Sequence, residues 1–155
     1  MENYVKYRRD LHKIPETFYQ EFKTSEYIHN ILKDMPCKLT SVAKTGWLAF
    51  FDNGKEETIA FRADIDALAI QEAKDSEYKS THDGVMHACG HDAHTAILLN
   101  TCEILNQLKE VAEGNFSNET FSSSIKSICD EFPELKEETI RKMCDGTFDL
   151  LNGEI

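Results

Sequence analysis

The densest cluster of potentially reactive side chains lies between His82 and His94. This stretch holds four of the chain's six histidines, namely His82, His87, His91 and His94, together with Cys89. Imidazole nitrogen and thiolate sulfur suit borderline divalent metals such as zinc, cobalt and manganese to differing degrees. Cys89 and His91 lie two residues apart, and the glycine between them lets the backbone pass close to an ion. The sequence therefore predicts that Cys89 and His91 are metal ligands.

The remaining histidines of this stretch carry less specific predictions. His82 follows a polar loop and is expected at the surface. His94 comes one helical turn after His91, where it could cap the helix, hydrogen-bond a neighbour or orient a ligand. A one-metal site that uses Cys89, His91 and one of His87 or His94 is a further hypothesis. The alternative to any metal site is a solvated loop that contains a buried cysteine.

A second group of charged residues ends an apolar segment at 58–63. Arg62, Asp64 and Asp66 follow one another at every second position. Charges at the end of a strand are costly unless they are paired or functional. Asp66 could orient a metal-ligating histidine, and we assign it that supporting catalytic role. In the other interpretation Arg62 pairs locally with an aspartate and Asp66 caps the next turn.

The elements that must position these residues follow from periodicity and turn signals. The pattern predicts helices over residues 4–14 and from Thr17 to Pro36, strands at 38–43, 47–52 and 58–63, and a helix from about Asp92 to Ala112. The turn signal at 53–57 indicates a hairpin between the last two strands. Because 58–63 is apolar on both faces, it is expected to be central in its sheet. The expected fold class is α/β, with helices packed on a short mixed sheet.

The composition changes near residue 113. Residues 113–155 contain four basic and ten acidic residues and open with a small polar linker. Two short helices are expected after the linker. We therefore divide the chain into a domain at residues 1–112 and an acidic helical extension at residues 113–155, whose role is unknown.

Composition excludes several classes of function. The chain has 155 residues, 41% of them hydrophobic, and a formal net charge of −11. This composition is typical of a globular domain, and the acidic balance argues against nucleic-acid binding. No apolar run approaches the ~20 residues of a membrane span, and the charged N-terminus does not resemble a signal peptide. The odd number of cysteines, five, is typical of free thiols or metal ligands, and a cytoplasmic location is expected.

Three segments together resemble a known family. They are Arg8-Arg9-Asp10-Leu11-His12 with Pro15-Glu16, Arg62-Ala63-Asp64-Ile65-Asp66-Ala67-Leu68 followed by Ile70-Gln71-Glu72, and Met86-His87-Ala88-Cys89-Gly90-His91-Asp92-Ala93-His94-Thr95. In this order they resemble the N-terminal part of metal-dependent amidohydrolases. That family includes hippurate hydrolases, indole-acetyl-amino-acid hydrolases and N-acetyl-diaminopimelate deacetylases, within the aminoacylase/carboxypeptidase peptidase group.

The resemblance implies a truncated metallopeptidase-like catalytic domain with a two-metal site served by manganese, cobalt or zinc. The family's ligands fall on Cys89 and His91, and Asp66 matches the aspartate that supports a ligand. Asp64 falls where many relatives carry a ligating histidine. The implied reaction is hydrolysis of the amide bond of an N-acyl amino acid.

The sequence also departs from the family pattern. The family's general base lies in a Pro-Ala-Glu-Glu segment, and this sequence has no such segment and no histidine after His94. We therefore expect the chain to be inactive alone. The alternative is a noncatalytic fragment or interaction module from a truncated or recombined gene. A complementing chain or a homo-oligomer is then the expected partner, because an uncovered sheet edge invites association.

Overall fold

The computed structural model describes residues 3–52, 54 and 56–112. Its elements, in chain order, are α1 (Asn3–Lys13), α2 (Phe22–Leu32), β1 (Lys38–Val42), β2 (Gly46–Phe50) and α3 (His91–Ala112). Helices pack on a small sheet, which confirms the predicted α/β class. The residues predicted to bind metal lie within one compact unit, Met1–Leu105.

The core joins the three helices. Its buried side chains are Tyr7 of α1, Ile28 and Leu32 of α2, and Ala96, Leu99 and Cys102 of α3. Trp47 of β2 packs against this cluster and donates a hydrogen bond from Nε1 to the Ser25 carbonyl oxygen at 3.0 Å. The apolar stripes of the helices thus face one another, as their periodicity predicts.

Helix α2 begins later than the sequence predicted. It starts at Phe22 and not at Thr17. The chain before it is held in a turn, because Tyr19 adopts a left-handed conformation with φ 58°. The Glu21 side chain fixes this turn by accepting hydrogen bonds from the Tyr19 amide at 2.9 Å and from Thr45 Oγ1 at 2.8 Å.

The sheet also differs from the prediction. In the described residues it consists of two antiparallel strands, β1 and β2, with Thr40 opposite Leu48. The predicted mixed sheet, and the predicted hairpin between 47–52 and 58–63, are therefore wrong for this part of the chain. Residues 58–63 form no strand, and Ile59 and Phe61 are 82% and 69% exposed. Apolar residues on both faces do not make a strand without a hydrogen-bonding neighbour, and no described residue supplies one.

Two short backbone contacts position the segment after residue 63. Leu68 and Met86 exchange N–H to carbonyl hydrogen bonds, each 3.0 Å long. The Ala67 amide donates to the Glu16 carbonyl oxygen at 2.7 Å. These bonds bring the segment around Asp66 beside the one that leads into α3.

The acidic extension predicted at residues 113–155, with its two short helices, lies outside the described residues. The division of the chain at residues 112/113 stays a prediction. Among residues that the structure describes, no helix has both the length and the apolar character needed to cross a membrane.

Candidate metal site

Gly90 shapes the turn that leads into α3. Its φ is +87°, a left-handed value that glycine adopts without steric cost. The Gly90 carbonyl oxygen accepts hydrogen bonds from the amides of Ala93 at 3.0 Å and His94 at 3.1 Å. The helix therefore begins at His91, with Cys89 on the other side of the turn. A Cβ at Gly90 would meet no atom within 4 Å, so the constraint on this position is conformational.

Asp66 holds the ring of His91. Nδ1 of His91 lies 2.9 Å from the Asp66 carbonyl oxygen and 3.0 Å from its Oδ1. A carbonyl oxygen can only accept, so Nδ1 carries the proton and Nε2 presents its lone pair. This arrangement, an imidazole oriented through its other nitrogen by a carboxylate, is typical of metal-ligating histidines.

Cys89 supplies a second donor atom at the same turn. Its thiol is free and exposed. A thiolate and an imidazole nitrogen match the ligand preferences of zinc and cobalt, so the donor chemistry fits a divalent metal. Within residues 3–52, 54 and 56–112, however, no three His, Cys, Asp or Glu side chains converge on one metal position. The described residues thus place two candidate donor groups, Cys89 and His91, at this turn, short of a complete ligand set.

The other histidines of the stretch do not complete that set. His94 is exposed, and its ring centroid lies 6.2 Å from that of His91. His82, expected at the surface, is half-buried, and its Nδ1 donates to the Pro15 carbonyl oxygen at 2.6 Å. His87 is buried. The one-metal hypothesis with His87 or His94 as third ligand gains no support from these positions.

The burial of His87 keeps its ring neutral. Burial lowers the pKa of His87 to about 4, against a weaker opposing effect of the Asp92 charge. Neither ring nitrogen has a hydrogen-bond partner among the described residues. His87 therefore occupies the protein interior behind the exposed turn that carries Cys89.

The two aspartates of the 62–66 segment have different surroundings. Asp64 pairs with Arg62 at 2.7 Å, and the two side chains are 48% and 86% exposed. An ion pair this exposed contributes little to stability. Asp66 faces His91. The structure thus combines the two interpretations of the sequence, since Arg62 does pair locally while Asp66 contacts the histidine.

A buried charged network behind the turn was not predicted. His12 Nδ1 lies 2.6 Å from Asp92 Oδ2, and His12 Nε2 lies 3.3 Å from Glu72 Oε1. Arg8 Nε approaches the same Asp92 oxygen at 3.0 Å. Each of these residues belongs to one of the three segments that carry the family resemblance. Their co-occurrence was the available signal, but spacing along the chain does not show that they meet.

Comparisons with known proteins find similarity to one family of peptidases. Residues 60–117 match the model of peptidase family M20/M25/M40. An uncharacterized hydrolase of Staphylococcus epidermidis is 48% identical over 93 residues, which are 60% of this chain and 24% of that protein. One from Staphylococcus haemolyticus is 46% identical over 99 residues, or 64% of this chain and 26% of that protein. The chain thus spans about a quarter of the length of the curated relatives it matches.

A solved structure shares the fold. The YXEP protein of Bacillus subtilis, described as a dinuclear metal-binding peptidase of the M20 family, superposes with a TM-score of 0.63 at 43% sequence identity. The match covers 67% of this chain and 30% of that one.

Proposed function

Because this chain resembles the N-terminal portion of the M20/M25/M40 peptidases, we propose that it supplies metal ligands to a hydrolase site that cleaves the amide bond of N-acyl amino acids. The observation that carries the proposal is the contact between Asp66 and His91 beside the exposed Cys89 thiol. A histidine oriented in this way next to a free thiol has the chemistry of a metal site. The family match supports hydrolysis in general, and the acyl amino acid is the substrate class we propose.

Each of the three residues has a distinct task in this proposal. Cys89, as the thiolate, and His91, through Nε2, hold the metal. Asp66 keeps the His91 ring in the correct tautomer and orientation. A divalent metal, which we propose to be manganese, cobalt or zinc, supplies Lewis-acid polarisation of the amide carbonyl when bound.

We expect the 155-residue chain by itself to show no detectable amidase activity. Its sequence contains neither a Pro-Ala-Glu-Glu segment nor a histidine after His94. Loss of a general base alone costs about 10²- to 10⁴-fold in rate. The chain is therefore proposed to bind metal without turning over a substrate.

Native mass spectrometry of the chain with added manganese, cobalt or zinc tests the proposed ligands. The parent is expected to bind metal stoichiometrically and Cys89→Ser to lose it. Cys37→Ser is the matched control, because Cys37 is also a free thiol but lies half-buried between α2 and β1. Equal metal binding by the parent and Cys89→Ser would exclude the proposed site.

A second candidate function is that of a noncatalytic interaction module. The exposed apolar side chains of Ile59 and Phe61 favour it, because residues 58–63 find no backbone hydrogen-bond partner within the part of the chain that the structure describes. We propose a second copy of this chain as the partner. Two identical extended segments can pair antiparallel about a two-fold axis, which makes such an interface self-complementary.

We propose a cytoplasmic location for the protein. All three cysteines in the described part of the chain are free thiols. Free thiols are typical of a reducing compartment.

A further inference from the structure

We propose that His12 is a positioning residue for Cys89 and His91, acting through Asp92. The inference rests on the proposed metal-binding function. It adds a residue of α1 that touches neither predicted ligand and lies 80 positions from Asp92 in the chain.

The first step concerns Asp92. It directly follows His91 and lies in the first turn of α3, and its side chain is 1% exposed. The 2.6 Å contact between His12 Nδ1 and Asp92 Oδ2 fixes this turn to α1. Arg8 Nε, 3.0 Å from the same oxygen, adds a second link to the same helix.

The second step concerns the other side of His12. Its Nε2 faces Glu72 Oε1, and Glu72 Oε2 accepts a hydrogen bond from the Ser80 amide at 2.8 Å. The ring of His12 also packs edge-on against Tyr78, with centroids 5.7 Å apart. His12 is therefore in contact with the 72–80 loop on one side and with α3 on the other.

The third step concerns the opposite face of the α3 terminus. Here the contacts are to the segment that carries Asp66. Thr95 Oγ1 donates to the Asp64 carbonyl oxygen at 3.2 Å, and His91 contacts Asp66. The helix terminus is thus fixed from two sides, by α1 and by the segment that carries Asp66. Removing the His12 contact leaves Arg8 as the link from Asp92 to α1 on one side and the Asp66 segment on the other.

Stability alone is a weak explanation for this network. Asp92 Oδ1 is buried and has no hydrogen-bond partner among the described residues. A buried carboxylate with an unpaired oxygen costs free energy, and well-packed apolar residues often replace buried ion pairs without loss of stability. A role in positioning His91, the predicted ligand next to Asp92, explains why the His12–Asp92 pair lies here.

The test compares His12→Gln with His82→Gln. Both parent histidines use Nδ1 in a hydrogen bond, but the bond of His82 goes to the Pro15 carbonyl oxygen and does not reach α3. Titration with Co²⁺, followed by the thiolate-to-cobalt charge-transfer band, gives the dissociation constant and the ligand geometry. We expect His12→Gln to weaken binding by up to about 10-fold, the lower end of the range for residues that contact a ligand directly, because His12 acts through Asp92, and we expect it to alter the band. His82→Gln should leave both unchanged.

Hydrogen exchange of the metal-free chain gives a readout that does not need the metal. The reporters are the amides of Ala93 and His94, which both donate to the Gly90 carbonyl oxygen. His12→Gln should speed their exchange by about 10-fold relative to the amides of α2, and His82→Gln should not. Asp92→Asn, which keeps the side-chain shape, should reproduce the effect and serves if His12→Gln fails to fold.

The outcomes separate the two proposals. If the parent binds Co²⁺ through Cys89, and His12→Gln matches the parent in both affinity and exchange, the role of His12 is refuted while the metal site stands. If the parent binds no Co²⁺, the proposed function fails. Faster exchange at Ala93 and His94 in His12→Gln would then still support the role of His12 in positioning the turn. Unchanged exchange would overturn that role.

Discussion

Asp66 and His91 lie 25 positions apart in the chain, and the structure brings Nδ1 of the histidine to 3.0 Å from the carboxylate of the aspartate. The Leu68–Met86 backbone pair lies between them in the chain and brings the two segments side by side. The contact assigns the proton of His91 to Nδ1. It is the feature on which the proposed metal site depends most directly.

Replacing Asp66 should weaken metal binding without abolishing it. In Asp66→Asn the carboxylate charge is lost, but the backbone carbonyl still accepts from Nδ1 at 2.9 Å. We therefore expect a loss in zinc affinity near 10-fold, the lower end of the range for such contacts. Isothermal titration calorimetry measures it, with Asp34→Asn as the control because Asp34 is exposed just after α2. Equal losses in both variants would show that the effect is a general one of charge.

Gly90→Ala should affect both stability and metal binding. A non-glycine residue at a φ of +87° is strained, so we expect a loss of about 1 kcal/mol in the free energy of unfolding. Gly84→Ala is the control, since Gly84 has a φ of +71° and open space around its Cα as well. Both variants should be destabilised alike in urea, whereas only Gly90→Ala should lose zinc affinity. A loss of zinc affinity in Gly84→Ala of the same size would contradict a local role for Gly90.

Glu72 should make the stability of the chain depend on acid pH. Burial works to raise the pKa of Glu72, but the hydrogen bond from the Ser80 amide and the contact with His12 outweigh it, so the pKa lies below its usual 4.5. A carboxyl group with a lowered folded pKa stabilises the protein above its unfolded pKa, and this contribution is lost as the pH falls through the folded pKa. The free energy of unfolding of the parent should fall more steeply below about pH 4.5 than that of Glu72→Gln.

Urea unfolding at a series of pH values measures this difference. Glu26→Gln is the control, because Glu26 is exposed on α2. Parallel curves for the parent and Glu72→Gln would mean that the buried network does not hold Glu72 in its charged form.

Self-association should depend on the exposed segment at 58–63. Sedimentation velocity of the parent is expected to show a dimer, and the double variant Ile59→Ser/Phe61→Ser a monomer, because the apolar contact between copies is lost. Phe18→Ser is the control, since Phe18 is 71% exposed but lies before α2. A parent that stays monomeric at all concentrations would rule out the homodimer and leave a different chain as the partner.

The sequence predicted those helices whose own residues show an apolar stripe and a recognisable end. Helix α1 has an apolar stripe and a following Pro15, and α3 starts at His91, one residue before its predicted start near Asp92. The start of α2 was predicted too early. The apolar periodicity continues back to Thr17, but the left-handed turn at Tyr19 keeps the helix from starting before Phe22. The strand expected at 58–63 failed because the formation of a strand depends on a neighbour, which periodicity cannot supply.

Only those site residues that lie close together in the sequence could be predicted from it. Cys89 and His91 share one turn, so their residue types were sufficient to nominate them, and their role as ligands stays a prediction. Asp66 was nominated with an alternative, which the contact with His91 now disfavours. The meeting of His12 with Asp92 depends on how α1 packs against α3, and no pattern within either segment carries that information.

X-ray absorption at the zinc edge of the zinc-loaded chain tests the central claim most directly. The account predicts one sulfur scatterer at about 2.3 Å, together with imidazole scattering. The sulfur signal should disappear in Cys89→Ser and persist in Cys37→Ser. A zinc ion bound by the parent chain through nitrogen and oxygen alone would contradict the proposed site.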